Sequence, residues 1–151
     1  MIFMKILLDA DATPVLKEVV DVASTYKIKL LIISDFNHHL DTAYGDIIKV
    51  DQANDSADHM IINNTVKNDL VITGDYGLAA LVLAKHADAM HFDGWRYDPS
   101  NIDRLLNQRH FQQKQRRILK RYHHIPKRKS EQNKVFKTKL IDYLNRKGVV
   151  T

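Results

Sequence analysis

Three short apolar runs, Ile6-Leu7-Leu8, Ile28 to Ile33 and Leu70-Val71-Ile72, carry almost no polar interruption, and they constrain the fold more than any other feature. A strand covered on one face alternates apolar and polar residues. A run apolar at nearly every position must be covered on both faces, as in a parallel sheet. Each run is also far short of the roughly 20 apolar residues that span a bilayer, so no membrane partner is expected. Between the runs the apolar spacing changes. Val15, Leu16, Val19, Val20, Val22 and Ala23 recur at helical spacing up to Tyr26, with Pro14 suited to a first turn and Thr13 to an N-cap. Ala57, Met60, Ile61 and Ile62 repeat that spacing between Asp55 and Val66, with Asn54 or Asp55 as the cap.

Read in order, the chain gives a strand over Ile2 to Leu8, a helix to Tyr26, a strand over Ile28 to Ile33 and a polar loop from Ser34 to Tyr44. A short strand over Asp46 to Val50 follows, then the helix to Val66, a strand over Asp69 to Thr73, a helix over Leu78 to Ala84 and a strand over Ala87 to Phe92. A basic helix over Asn101 to Leu119, an arm around Tyr122 to Ser130 and an added C-terminal helix over Glu131 to Arg146 complete it. Alternation of this kind specifies an α/β fold of three layers, a mostly parallel central sheet of about five strands with helices on both faces. The 151 residues, 44% of them hydrophobic, with five Gly and three Pro, are enough for one core over 1–151.

With no cysteine, disulfides, thiolate zinc sites, iron–sulfur clusters and cysteine nucleophiles are excluded, and any metal must be held by oxygen or imidazole. The run Ile6-Leu7-Leu8 is closed by Asp9 and does not form the apolar core of a signal peptide, so a reducing cytoplasm is the expected compartment. Charge is segregated within the formal +5. The stretch from Arg104 to Lys129 holds Arg109, Lys114, Arg116, Arg117, Lys120, Arg121, Lys127 and Arg128 without one Asp or Glu. Nucleic acid is one reason to build such a segment, and a solvated helix face is the other.

In parallel α/β sheets ligands bind beyond the carboxyl ends of the strands, where strand order reverses, and three apolar runs here end in acid. Leu8 is followed by Asp9 and Asp11, Ile72-Thr73-Gly74 by Asp75, and Met90-His91-Phe92 by Asp93. Continued strand geometry would put Asp9 and Asp11 on one face, while Asp55 and Asp58 share a helical face. Clustered carboxylates repel unless something positive neutralises them, and hard oxygen ligands select Mg²⁺ or Mn²⁺. Asp55 also reads as a cap, Asp93 before Gly94 as a turn, and Asp69 simply as a turn residue. Thr73, two residues ahead of Asp75, can hydrogen-bond a ligating carboxylate. His38-His39 and His123-His124 lack metal-site spacing and read as loop histidines.

Asp9-Ala10-Asp11-Ala12-Thr13-Pro14-Val15, Asp55-Ser56-Ala57-Asp58, the stretch Asp69 to Ala79, and Asn101-Ile102 through Leu105-Leu106 to Arg109 together resemble the YaiI/YqxD family, a bacterial group with a PIN-like fold. The resemblance covers nearly the whole chain. It implies three or four acids grouped to bind Mg²⁺ or Mn²⁺ for RNA cleavage: Asp9 as the first-strand ligand, Asp58 or Asp55 as the central acid and Asp75 as the third, with Asp11 beside them and Thr73 and Asp93 in support. Basic residues Arg104, Arg109, Lys114, Arg116, Arg117, Lys120 and Arg121 would then hold the phosphate backbone of nucleic acid, RNA more than DNA, with Tyr97, Phe111 or Tyr122 stacking on bases. This chain has Thr13 where the family usually has Cys, so a thiol there is not needed for metal binding. It also has Glu131-Gln132-Asn133-Lys134 where an Asp-Arg pair is usual before the Phe.

The first motif also matches the DxDxT signature of haloacid-dehalogenase-type phosphatases. Asp9 would then be the nucleophile, Asp11 the general acid and base, Ser34 a phosphate ligand and Gly74-Asp75 the Mg²⁺ site. Position 79, where that family carries a further Asp, is Ala. A third possibility is a non-catalytic nucleic-acid-binding protein with structural acids.

Overall fold

A computed structural model describes residues 3–11, 13–35, 40–51, 56–118 and 127–149, with the side chains of 56 and 109–118 outside the description. Five strands and five helices follow one another along these residues. They are β1 (Lys5–Asp9), α1 (Leu16–Tyr26), β2 (Lys29–Asp35), β3 (Asp46–Val50), α2 (Ser56–Asn64), β4 (Leu70–Ile72), α3 (Tyr76–Ala84), β5 (Asp88–Met90), α4 (Pro99–Ile118) and α5 (Ser130–Arg146).

The strands form one sheet in the order β3-β2-β1-β4-β5, every pairing parallel. Chain order runs outward from β1 to β3, then returns to the other side of β1 for β4 and β5. The switch point therefore falls between the carboxyl ends of β1 and β4.

Alternation along each strand divides the core in two. Ile6, Leu8, Leu30, Ile32, Leu70, Ile72 and Met90 face α1 and α5, meeting Val19, Val22, Phe136, Leu140 and Leu144. Leu7, Leu31, Ile33, Val71 and Ala89 face the other way, against Ile61 of α2, Leu78 and Val82 of α3 and Ile102 of α4. Both faces are covered, which accounts for the unbroken apolar runs of β1, β2 and β4. The three-layer α/β architecture follows directly.

Boundaries differ from expectation where caps override periodicity. The first helix begins at Leu16, two residues after Pro14; Val15 occupies the N-cap position, and Thr13 Oγ1 only accepts from the Val15 amide at 3.4 Å. Two further starts come earlier than the apolar pattern alone gives, α3 at Tyr76 behind Asp75 and α4 at Pro99 behind Asp98. Proline suits a first helical position because its missing N–H has no partner there anyway, and Asp98 Oδ1 accepts from the Asn101 amide at 2.8 Å. The expected cap Asp55 lies outside the described residues. No helix among the described residues is long and apolar enough to cross a membrane.

Asp69, read from sequence as a turn residue, is a structural anchor at the amino end of the sheet. It is only 2% exposed, accepts from the amides of Lys5 and Val66 at 3.1 and 2.9 Å, and pairs with the Lys5 ammonium. Removing the acid leaves a largely buried cation and two amides without their acceptor, a loss that costs several kcal/mol. Asp69→Ala is expected to lower unfolding free energy by about 3 kcal/mol in urea titrations. A change within about 0.5 kcal/mol, typical of surface sites, would contradict this role for the pair.

Candidate functional site

Asp9 ends β1 on the Leu7 side of the sheet, the side covered by α2 and α3. Its carboxylate is half-buried, and Thr73, just past the end of neighbouring β4, donates from Oγ1 to Asp9 Oδ2 at 2.7 Å. The same oxygen accepts from the Asp75 amide at 3.0 Å, so one fully buried hydroxyl fixes both acids across the switch point. Thr73 is held in turn through its backbone, donating to Met90 O and accepting from the Tyr97 phenol, both at 3.0 Å. A side chain at Gly74 would sit 3.0 Å from the Phe92 ring, so glycine lets the chain pass this close before turning into α3.

Asp75 is the N-cap of α3 and accepts on Oδ1 from the Gly77 and Leu78 amides at 2.8 and 3.2 Å. Asp58 occupies the first turn of α2. Both acids thus stand at helix N-termini, whose partial positive charge offsets part of their repulsion. Asp11, beyond the end of β1, accepts on Oδ1 from the Asp35 amide at 3.2 Å and from Ser34 Oγ at 3.4 Å.

Three of these acids act on Asp9. Burial is the largest influence on Asp9 and raises its pKa; the Thr73 bond lowers it; Asp58, Asp11 and Asp75 then raise it again, to about 6 from 3.8. The acids that act on Asp9 offer oxygen donors, the kind a hard divalent cation would take. Among the described residues no three His, Asp or Glu side chains converge tightly enough to form a ready-made cage. The arrangement is a graded acidic cluster, with Asp75 exposed and Asp9 beneath it.

Other expected site residues fall elsewhere. Asp93 stands apart from the groups that act on Asp9 and pairs with Arg128 Nη1 at 2.7 Å. Arg128, counted in the basic stretch, is committed to structure: Nη2 donates to Phe92 O and Nε to Asn133 Oδ1, both at 2.7 Å. Arg104 is exposed on α4, while Arg109, Lys114, Arg116 and Arg117 lie on that helix with side chains outside the description. Asp55, Lys120, Arg121, Tyr122 and the two histidine pairs lie outside the described residues, as does the side chain of Phe111. Tyr97 does not offer its ring to bases. It is 2% exposed, packs edge-on to Trp95 at 4.7 Å between ring centres, and burial, then Tyr76 and the nearby acids, push its phenol well above the ordinary range. It is a protonated donor that positions Thr73.

Asp35 has no part in the sequence expectations, and Ser34 enters them only as a phosphate ligand of the phosphatase alternative. Ser34 and Asp35 close β2 and are both buried, directly beside Asp11. Their signal was the one used for Asp9, an apolar run closed by an acid, but Ser34 intervenes and the stretch from 34 to 44 looked like loop. Burial of Ser34 beneath Asp11 also removes it from any surface a phosphate could reach, contrary to its part in the phosphatase reading.

A profile of a family described as uncharacterised, YaiI/YqxD, matches residues 7–146. A UPF0178 protein of Alkaliphilus oremlandii is 48% identical over 142 residues, 94% of this chain and 92% of the relative. One of Natranaerobius thermophilus is 46% identical over 137 residues, 91% of this chain and 93% of the relative. Among solved structures, Rae1 (YacP) from Bacillus subtilis, as its W164L mutant, aligns over 91% of this chain and 92% of its own with 15% identity and a TM-score of 0.45. That likeness is too distant to bear on function.

Because Asp9 titrates near 6 when folded and near 3.8 otherwise, the folded chain holds a proton more tightly than the unfolded chain. The Asp9 contribution to stability therefore falls as pH rises from about 4 to about 6 and is level above that window. The rise corresponds to roughly 3 kcal/mol. In metal-free buffer Asp9→Asn is expected to be more stable than wild type at pH 8 by about 2 to 3 kcal/mol, with most of the difference gone by pH 4, in denaturant titrations. A variant less stable than wild type at both pH values would show instead that the Asp9 charge stabilises the fold.

Proposed function

The chain belongs to the YaiI/YqxD family, and we propose that it is a Mg²⁺- or Mn²⁺-dependent phosphodiesterase acting on nucleic acid, RNA more than DNA. The observation that carries the proposal is the pressure on Asp9, a half-buried carboxylate at the switch point whose pKa is driven to about 6 by burial and three further acids. A fold tolerates such repulsion where a function needs it. Asp9, Asp11, Asp58 and Asp75 would hold the ion, and Mg²⁺ retains several of its waters, so a loose acidic set suits it better than a closed cage. When bound, the ion supplies Lewis-acid polarisation of the scissile phosphodiester and a lowered pKa for the attacking water.

The chain's own residues supply position. Thr73 keeps Asp9 oriented through Oδ2 and leaves Oδ1 for a ligand role. Tyr97 holds the Thr73 carbonyl, and the α3 cap holds Asp75 at the mouth of the site. The basic stretch begins on α4, whose first turn follows Tyr97 by two residues, and Arg104, Arg109, Lys114, Arg116 and Arg117 along that helix would hold the phosphate backbone, together with Lys120 and Arg121, which lie outside the described residues. The preference for RNA rests on the PIN-like resemblance of the acidic motifs.

Labelled single-stranded RNA and DNA incubated with Mn²⁺ or Mg²⁺ test this directly. Wild type is expected to cut RNA, chelator to stop it, and Asp9→Asn, Asp58→Asn or Asp75→Asn to slow it at least about a hundredfold. Asn still caps helices, so the Asp75 variant removes charge while preserving α3. Absence of cutting, or equal cutting by Asp9→Asn, would end the nuclease reading, and turnover confined to phosphomonoesters would favour a phosphatase. For the basic stretch, Arg116→Ala with Arg117→Ala should make the logarithmic salt dependence of RNA affinity shallower by about one to two. An unchanged slope would remove those residues from the interface.

A further inference from the structure

On the opposite face of the sheet, a cavity of about 410 Å³ opens between the second half of α5 and the turn after β5. Neither Asp9 nor any of the three acids that act on it lines the cavity. Its volume falls within the roughly 300–1,000 Å³ of small-ligand pockets. Four cations line it, Arg96, Lys139, Arg146 and Lys147, against a single lining acid, Asp142.

Two of the cations are fixed in place. Asp88 accepts from Arg96 Nη2 and Lys147 Nζ, each at 3.0 Å, and also takes the Tyr143 phenol. The Tyr143 ring carries both cations, with the Arg96 guanidinium 5.2 Å and the Lys147 ammonium 5.7 Å from its centre. Lys139 is placed by the backbone opposite. A Cβ at Gly94, where φ is +91°, would come within 2.8 Å of the Lys139 stem, so only glycine lets that stem lie against the turn. Asp142 pairs with Arg146 at 3.2 Å. Counting Asp88 and Asp142 against the four cations leaves two positive charges uncompensated, the complement of a phosphate dianion. Met90 and Tyr143 form the buried floor beneath them.

We infer that this cavity between α5 and the β5–α4 turn binds the phosphate of a nucleotide, drawn by Lys139 and Arg146. The ligand is either a free nucleoside monophosphate or the phosphorylated end of a strand, chemically the same group. The inference does not rest on the proposed cleavage, because the pocket shares no residue with the acidic site.

Amide NMR of the full chain in chelator, titrated separately with AMP, a 5′-phosphorylated RNA trinucleotide and adenosine, decides it. AMP or the trinucleotide is expected to shift the amides of Gly94, Arg96 and Lys147, while adenosine does so at least tenfold more weakly. Binding at least tenfold tighter for the trinucleotide assigns the strand end, and comparable or weaker binding assigns the free nucleotide. Lys139→Gln with Arg146→Gln, both exposed positions, should weaken either ligand at least tenfold; Lys139→Arg with Arg146→Lys should restore it, and Asp9→Asn should leave it unchanged. The inference is overturned if neither phosphorylated ligand shifts these amides, if adenosine binds as well as AMP, or if the glutamine variant binds like wild type.

Discussion

A parallel sheet buried on both faces has nowhere to put polar chemistry except its ends, and the rest of this molecule follows from that restriction. Between them, α1 and α5 on one side and α2, α3 and α4 on the other cover the strands almost completely. At the amino end the polar residues are spent on stability, Asp69 with Lys5 and Asp88 with Arg96, Lys147 and Tyr143. At the carboxyl end the strand order reverses between β1 and β4, and the Thr73 hydroxyl spans that gap from Asp9 to the Asp75 amide.

The two ends differ in charge logic. Acids at the amino end are matched by cations. The charges that act on Asp9 are other carboxylates, and the Thr73 bond and two helix N-termini relieve part of that pressure. The Asp9 contribution to stability is therefore lost above about pH 6.

Much of the fold was legible because apolar runs and helical spacing are both dictated by burial. Asp46–Val50 is a strand as read, and α1 and α5 follow their spacing to within two residues. Helix starts slipped where a cap decides the matter locally, at Asp75 and Asp98. Periodicity says which face a residue takes but not what it meets across space. Hence Asp69 passed for a turn, Tyr97 for an exposed aromatic, and Arg128 for one more cation in a basic run when it is tied to Asp93, Phe92 and Asn133. Asp35 was overlooked for the same reason, since only the pairing of β1 with β2 brings it beside Asp11. Asp9, Asp11, Asp58 and Asp75 could be named from sequence, whereas their mutual influence depends on strand order, which no local pattern encodes.

We propose that Asp9, whose pKa burial and three neighbouring acids raise, is relieved by a divalent cation. Carbon-13 NMR of the aspartate carboxyls, titrated with and without Mg²⁺, reads this most directly, with Asp9→Asn to assign the resonance. The account expects Asp9 to titrate near 6 in chelator and to stay ionised to well below 4 when Mg²⁺ is present. Titration near 4 in both conditions would contradict it.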